Sequence, residues 1–138
     1  MLDTNVVSES VRPQPQPTVV SFLQSHDVTD FALSAMTVAE LRQGALGHPR
    51  EEQGLLLLRW IESLLLQYEA RVLPFSAVNT HAYATIQIER AKIGRHISVP
   101  DAIIAATAIA HDLTLVTRNT RDFEDIGLSL INPWLSGS

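Results

Sequence analysis

The run Ala102 to Ala110, Ala-Ile-Ile-Ala-Ala-Thr-Ala-Ile-Ala, is small or apolar almost all the way round a helix. A helix without a polar face has to be covered on more than one side, so this one reads as a central element. Its start is marked just upstream. Ser98-Val99-Pro100-Asp101 offers a capping residue, a proline for the first turn and an acid three residues after the cap. The spacing predicts a helix from there to His111.

Short apolar runs and helical patterns alternate around it. Met1-Leu2 running into Asp3-Thr4-Asn5 reads as a buried strand ending in a loop, and Val6 to Arg12 as a short helix that Pro13, Pro15 and Pro17 stop, forming a rigid connector. Val19, Val20 and Leu23 give residues 18–25 a one-sided helical pattern. Residues 31–34 read as a second strand, followed at once by Thr37 and Glu40 in capping-box spacing for a helix that Gly44 and Gly47 weaken or end. Residues 51–69 form a long helix with only a narrow polar stripe, Arg59, Glu62, Ser63 and Gln67. The pattern leaves open whether Trp60 and the leucines face the core or a partner.

A third strand is expected over residues 71–75, with Pro74 at its end, then a helix capped by Ser76 that runs to Ile93 and is closed by Gly94. Residues 113–117 and 128–131 read as the fourth and fifth strands. Strands alternating with helices along the whole chain indicate an α/β fold, a three-layer α/β/α sandwich with a central, mainly parallel five-stranded sheet. No repeat or linker divides the 138 residues, which form one expected domain over 1–138.

Composition narrows the chemistry. There is no cysteine, so disulfides, thiolate zinc sites and cysteine nucleophiles are excluded. The net charge of −5 argues against coating nucleic acid through bulk charge, but carboxylates gathered to hold metal would themselves contribute to it. No Gly-x-Gly-x-x-Gly follows a strand, no serine sits in a nucleophile elbow, and the five histidines lack metal-ligand spacing. No segment reads as a leader or membrane span, and a soluble cytoplasmic protein is expected.

Against that background the acids stand out. Asp3, Glu40, Asp101 and Asp122, with Asn119 beside the last, each fall after a strand or in the first turn of a helix, where a parallel sheet places its ligands. Each has a structural reading as well: turn chemistry for Asp3, capping boxes for Glu40 on Thr37 and Asp101 on Ser98, and a cap on residues 123–126 for Asp122. Carboxylates sharing a cleft raise one another's pKa unless a cation relieves them. A divalent metal held by oxygen ligands suits phosphodiester hydrolysis.

Four segments then carry a likeness: Leu-Asp-Thr-Asn-Val-Val-Ser-Glu at 2–9, Ser-Ala-Met-Thr-Val-Ala-Glu-Leu-Arg-Gln-Gly at 34–44, Pro-Asp-Ala-Ile-Ile-Ala-Ala-Thr-Ala at 100–108 and Thr-Arg-Asn-Thr-Arg-Asp-Phe at 117–123. In this order, and with Asn-Pro-Trp at 132–134, the chain resembles PIN-domain ribonucleases, above all the VapC and FitB toxins of type II toxin–antitoxin pairs.

The resemblance implies a Mg²⁺- or Mn²⁺-dependent endoribonuclease acting on RNA. It implies Asp3, Glu40 and Asp101 as the core acids, Asp122 as the fourth carboxylate and Asn119 as a polar ligand or water-holder. Thr4, Asn5 and Thr117 would support them. Arg12, Arg118 and Arg121 are then expected on RNA phosphate. It also implies a homodimer bound by a small antitoxin whose C-terminal segment fills the active-site groove while its N-terminal part binds DNA, and it adds the antitoxin to the surfaces that Trp60 and the leucines could face.

Two rival readings are a PIN-like binding module without catalysis and an aspartyl phosphatase, the latter weakened by Asn5 standing where a second Asp is wanted. Only Met1 and Leu2 precede Asp3, whereas a strand commonly runs ~5–6 residues, so a late start or a trimmed first strand is expected.

Overall fold

The computed structural model describes residues 1–135; the last three residues of the expected 1–138 domain lie outside the described residues. Ten elements carry the fold: α1 (Thr4–Glu9), α2 (Pro17–Gln24), β1 (Leu33–Ser34), α3 (Ala35–Leu46), α4 (Glu51–Tyr68), β2 (Val72–Leu73), α5 (Thr80–Lys92), α6 (Val99–Ala110), β3 (Leu115–Val116) and β4 (Leu130–Ile131). The predicted order of elements holds, but every strand is two residues long.

The pairing differs from one continuous five-stranded sheet. β1 pairs in parallel with β2, and β3 with β4, as two separate pairs. The expected first strand reduces to a single parallel bridge between Leu2 and Val116. Residues 1–3 nevertheless run between the two pairs: Leu2 N–H donates to Ala32 O at 3.0 Å, and Asp3 N–H donates to Val116 O at 2.9 Å. The strands are short because the chain turns into a helix or meets a proline at once, at Thr4, Ala35 and Pro74.

The layers are legible in which residue faces which core. Leu2, Leu33 and Val116 belong to one buried cluster with residues of α1, α3 and α4, while their neighbours Met1 and Leu115 belong to a second with α6. Val72 and Ile131 pack on the first cluster, Leu73 and Leu130 on the second. Alternate residues of an extended chain point to opposite faces, so this division places helices on both sides of the strands. In α6, Ala102, Ile104, Ala105, Ala106 and Ala108 are fully buried, as a helix without a polar face requires.

Several boundaries moved for identifiable reasons. Asp3 caps α1, so that helix opens at Thr4 rather than Val6 and stops at Glu9. Pro17 is the first residue of α2, where its missing N–H costs nothing, instead of part of the connector. The cap of α3 is Ser34, whose hydroxyl accepts from Met36 N–H at 3.0 Å, and this replaces the predicted Thr37–Glu40 box. Ser76 makes no side-chain cap; a 3₁₀ turn over Ala77–Asn79 intervenes before α5. Gly94 closes that region at φ 70°, as expected of a left-handed position.

In α4 the question left open by its pattern divides. Ile61, Leu64 and Tyr68 are buried, and Leu57, Leu58, Trp60 and Leu65 pack partly on the first cluster. Leu55, Leu56 and Leu66 are exposed. Among the described residues no helix is long and apolar enough to cross a membrane.

Candidate active site

Asp3 lies at the point where the extended N-terminal segment becomes α1, and its carboxylate is buried at 4% exposure. Each oxygen has a defined role. Oδ1 accepts from Thr4 N–H at 2.8 Å, which caps the helix. Oδ2 accepts from Thr117 Oγ1 at 2.7 Å and from Asn5 Nδ2 at 3.3 Å. The structural reading of Asp3, turn chemistry, is met in the form of a helix cap by one oxygen and does not account for the other.

Thr117 follows β3 directly and is fully buried. Its hydroxyl also accepts from Asn119 N–H at 3.0 Å, which ties the next loop to Asp3. Asn5 Oδ1 accepts from Arg118 N–H at 3.3 Å, a second tie between the same segments. Of the three residues expected to support the acids, Thr117 makes the shortest hydrogen bond to Asp3.

Glu40 reaches the site from α3. Because Ser34 caps that helix, the Glu40 carboxylate is not engaged in the predicted box, and Oε1 accepts from Thr4 Oγ1 at 2.7 Å. Thr4 Oγ1 also lies 3.3 Å from the buried hydroxyl of Thr37, a neighbour the sequence reading treated only as a cap. A hydroxyl has one proton to give, and the shorter distance assigns it to Glu40.

Asp101 stands in the first turn of α6, where Ser98 Oγ accepts its N–H at 3.2 Å, as the capping pattern predicted. Asp122 lies in the 3₁₀ turn Thr120–Phe123 and not ahead of it as a cap.

Electrostatics join these acids. Burial pushes the Asp3 carboxyl above its ordinary value; hydrogen bonds from Thr117 and Thr4 oppose the rise, and the negative charge of Glu40 adds to it. The Asp101 carboxyl is also raised, by burial first and then by repulsion from Asp3 and, more weakly, from Asp122. Carboxylates that hold one another's protons have unmet demand for positive charge.

Among the described residues no group of three His, Cys, Asp or Glu side chains already stands in metal-holding geometry. Mg²⁺ does not require one: it keeps several waters and is commonly held by one or two carboxylates. The donor set, all oxygen and mutually repelling, therefore fits a hard divalent cation.

The three arginines separate. Arg12 lies 3.3 Å from the buried carboxylate of Glu9. Arg118 is exposed and its guanidinium rests over the Trp134 ring, 5.3 Å from the centroid. Arg121 contributes its carbonyl to Arg95, at 2.8 Å.

The PIN-domain family model matches residues 1–128, a span that contains all four acids. The chain belongs to the PIN-domain family. This PIN domain is similar to Toxin FitB of Neisseria gonorrhoeae, with 42% identity over 97% of each chain. It is also similar to VapC ribonuclease Y4jK of Sinorhizobium fredii, with 38% identity over 97% of this chain and 96% of the relative. The crystal structure of FitAcB from Neisseria gonorrhoeae superposes with a TM-score of 0.91 at 41% identity, covering 96% of both chains. That of VapBC2 from Rickettsia felis, bound to a DNA fragment from its promoter, matches at 0.76 and 30% identity over 96% of both.

Proposed function

We propose that this PIN domain is the toxin of a type II toxin–antitoxin pair and hydrolyses RNA phosphodiester bonds with Mg²⁺ or Mn²⁺. The observation that carries the reading is that Thr4 hydrogen-bonds the carboxylates of both Asp3 and Glu40, while Asp3 in turn repels Asp101 at the head of α6, so acids from three separate parts of the chain meet around Asp3. Structural caps have no need to meet. When bound, a divalent cation polarises a phosphoryl oxygen and acidifies a water molecule.

In this reading Asp3, Glu40 and Asp101 hold the cation, with Asp122 as the further carboxylate and Asn119 as a polar group beside it. Thr117 and Asn5 fix the Asp3 carboxylate, and the Thr4 hydroxyl fixes one oxygen of Glu40, so each acid is oriented before substrate arrives. Glu40, half-buried and tied through the Thr4 hydroxyl to the head of α1, would take a proton from the attacking water. Arg118 meets the RNA backbone at the rim. The two strand pairs, bridged through residues 1–3, act as one parallel five-stranded sheet with the acids at its edge.

The names of the relatives, a toxin, a ribonuclease and a toxin–antitoxin complex from Klebsiella pneumoniae, support a toxin that pairs with an antitoxin and works on RNA; the cytoplasm is the compartment this reading gives it. A groove of about 230 Å³ opens from Thr4 and Glu40 along Leu41, Leu57, Trp60 and Ile61, and it suits an apolar segment of the antitoxin. A homodimer completes this reading, with DNA bound through the antitoxin.

The test is cleavage of total RNA by purified, antitoxin-free protein with Mg²⁺, with Mn²⁺ and with excess EDTA, beside Asp3→Asn. Discrete metal-dependent fragments, lost in the variant, are expected. Folded protein that cuts with neither metal would replace the nuclease by a binding module.

A further inference from the structure

Arg90, near the C-terminal end of α5, is buried at 3% exposure. A guanidinium stays charged at any ordinary pH and is costly to bury, so its partners show what it does. They are main-chain carbonyls. Nε donates to Arg95 O at 2.8 Å, and Nη1 donates to Asp122 O at 2.9 Å and to Glu124 O at 3.1 Å.

A second arginine grips the same loop from outside. Arg95 Nη2 donates to Arg121 O at 2.8 Å, and Nη1 pairs with Asp125 Oδ2 at 2.9 Å. The turn is closed from within by Asp122 N–H donating to Asn119 O at 3.0 Å, and it is anchored by Phe123, which is 1% exposed in the second core cluster. The carbonyls of residues 121, 122 and 124 are thus all held by arginines, and the Asp122 side chain remains exposed.

We propose that Arg90 is a positioning residue for the active site: by clamping the main chain at Asp122 and Glu124 it sets where the Asp122 carboxylate stands relative to Asp101. The inference rests on the metal-site reading above. A filler of the same volume would occupy the space without orienting the turn. A planar guanidinium anchored through Nε on Arg95 O aims Nη1 at the Asp122 and Glu124 carbonyls and so fixes the rotation of this loop. Lysine, a compact point charge on a flexible stem, cannot reproduce that geometry.

The experiment is Mn²⁺ binding to the full chain by calorimetry, with thermal unfolding recorded on the same samples. The variants are Arg90→Lys, Arg95→Gln, Asp122→Asn, Asp101→Asn and the double Arg90→Lys/Asp122→Asn. Arg90→Lys is expected to weaken Mn²⁺ binding about tenfold, the low end of what outer-shell partners of a metal site contribute. Added to Asp122→Asn it should change binding by less than about twofold, because the group it positions is already gone.

An equal loss in both backgrounds would overturn the proposal, since Arg90 would then act on the whole fold. Should Arg90→Lys fail to fold, Arg95→Gln decides: a smaller weakening supports the clamp, and unchanged affinity overturns it. Asp101→Asn separates the two levels. If it binds Mn²⁺ like wild type, the metal-site reading fails and this proposal with it; if it loses binding while Arg90→Lys and Arg95→Gln keep it, only this proposal fails.

Discussion

Thr117 and Asp3 stand 114 positions apart in the chain and share a 2.7 Å hydrogen bond in a fully buried setting. The threonine hydroxyl donates, and the same oxygen accepts the N–H of Asn119. One hydroxyl therefore orients the first acid and anchors the loop that carries the last.

Replacing that threonine by valine keeps its shape and removes the donor. Thr117→Val is expected to lower stability by about 1–3 kcal/mol, the cost of leaving buried polar groups without a partner. It also raises the Asp3 carboxyl further, so a higher Mn²⁺ concentration is needed for half-maximal cleavage. Urea unfolding and a metal titration check both effects, and Thr117→Ser should restore the second. Equal titrations for valine and wild type would remove Thr117 from the site.

The raised carboxyls of Asp3 and Asp101 give a pH prediction with a definite sign. The folded chain holds these protons more tightly than the unfolded chain does. Their contribution to stability is therefore complete below the ordinary carboxylate range and is lost as pH rises through the folded values. In EDTA, Asp101→Asn should be more stable than wild type by a margin that grows as pH rises above the ordinary carboxylate range. Mn²⁺ should then stabilise wild type and leave the variant unmoved, because only a form that binds ligand gains from it. Urea melts at several pH values, with and without metal, decide the matter; a margin that shrinks with pH would contradict the assignment.

Two glycines on facing helices should respond in opposite ways. A Cβ at Gly54 in α4 would stand 2.5 Å from the carbonyl oxygen of Ala45 in α3, and backbone cannot step aside cheaply. Gly54→Ala is expected to destabilise by about 1–3 kcal/mol despite better helix propensity. At Gly44 a Cβ meets nothing within 4 Å, so Gly44→Ala should stabilise by up to about 1 kcal/mol. Equilibrium unfolding of the pair tests whether the α3–α4 approach is as close as described.

What could be read from sequence follows from how local each cause is. α6 was legible because its all-round apolar surface and its Ser98 cap lie within a few residues of each other. Asp3 and Asp101 were legible for the same reason, Asp3 as the acid that ends an opening apolar run and Asp101 as the acid three residues after its helix cap. The Thr37–Glu40 box misled because Ser34, one residue before α3, satisfies the helix first and releases Glu40 to Thr4. The five apolar runs are met only as two strand pairs and a bridge at Leu2, because periodicity marks apolar runs, whereas ladder length depends on where partners leave the sheet. Arg90 carried no signal, since it holds carbonyls about thirty positions away through main-chain groups that no local pattern displays, and Thr117 was legible only through the family likeness, because its partner Asp3 lies 114 positions away.

Arg118 and Arg12 were equal candidates for RNA phosphate, and the structure separates them. Arg118 is held on three sides: its N–H donates to Asn5, its carbonyl accepts from Asn132 Nδ2 at 3.3 Å, and its guanidinium lies over Trp134. That charge is exposed, oriented and one residue from Thr117, beside the acids. Arg12 instead neutralises the buried Glu9, whose other oxygen accepts from Gln16 N–H at 2.8 Å at the start of α2. Arg118→Ala should therefore raise KM for RNA severalfold with kcat little changed, and should flatten the dependence of log KM on log salt by about 0.7, the value of one phosphate contact on a single strand. Arg12→Ala should leave KM and its salt slope in place and lower stability, because Glu9 is left buried without its cation. Steady-state cleavage of a labelled oligonucleotide at several salt concentrations measures all of these. Identical salt slopes for Arg118→Ala and wild type would move the phosphate contact elsewhere on the rim.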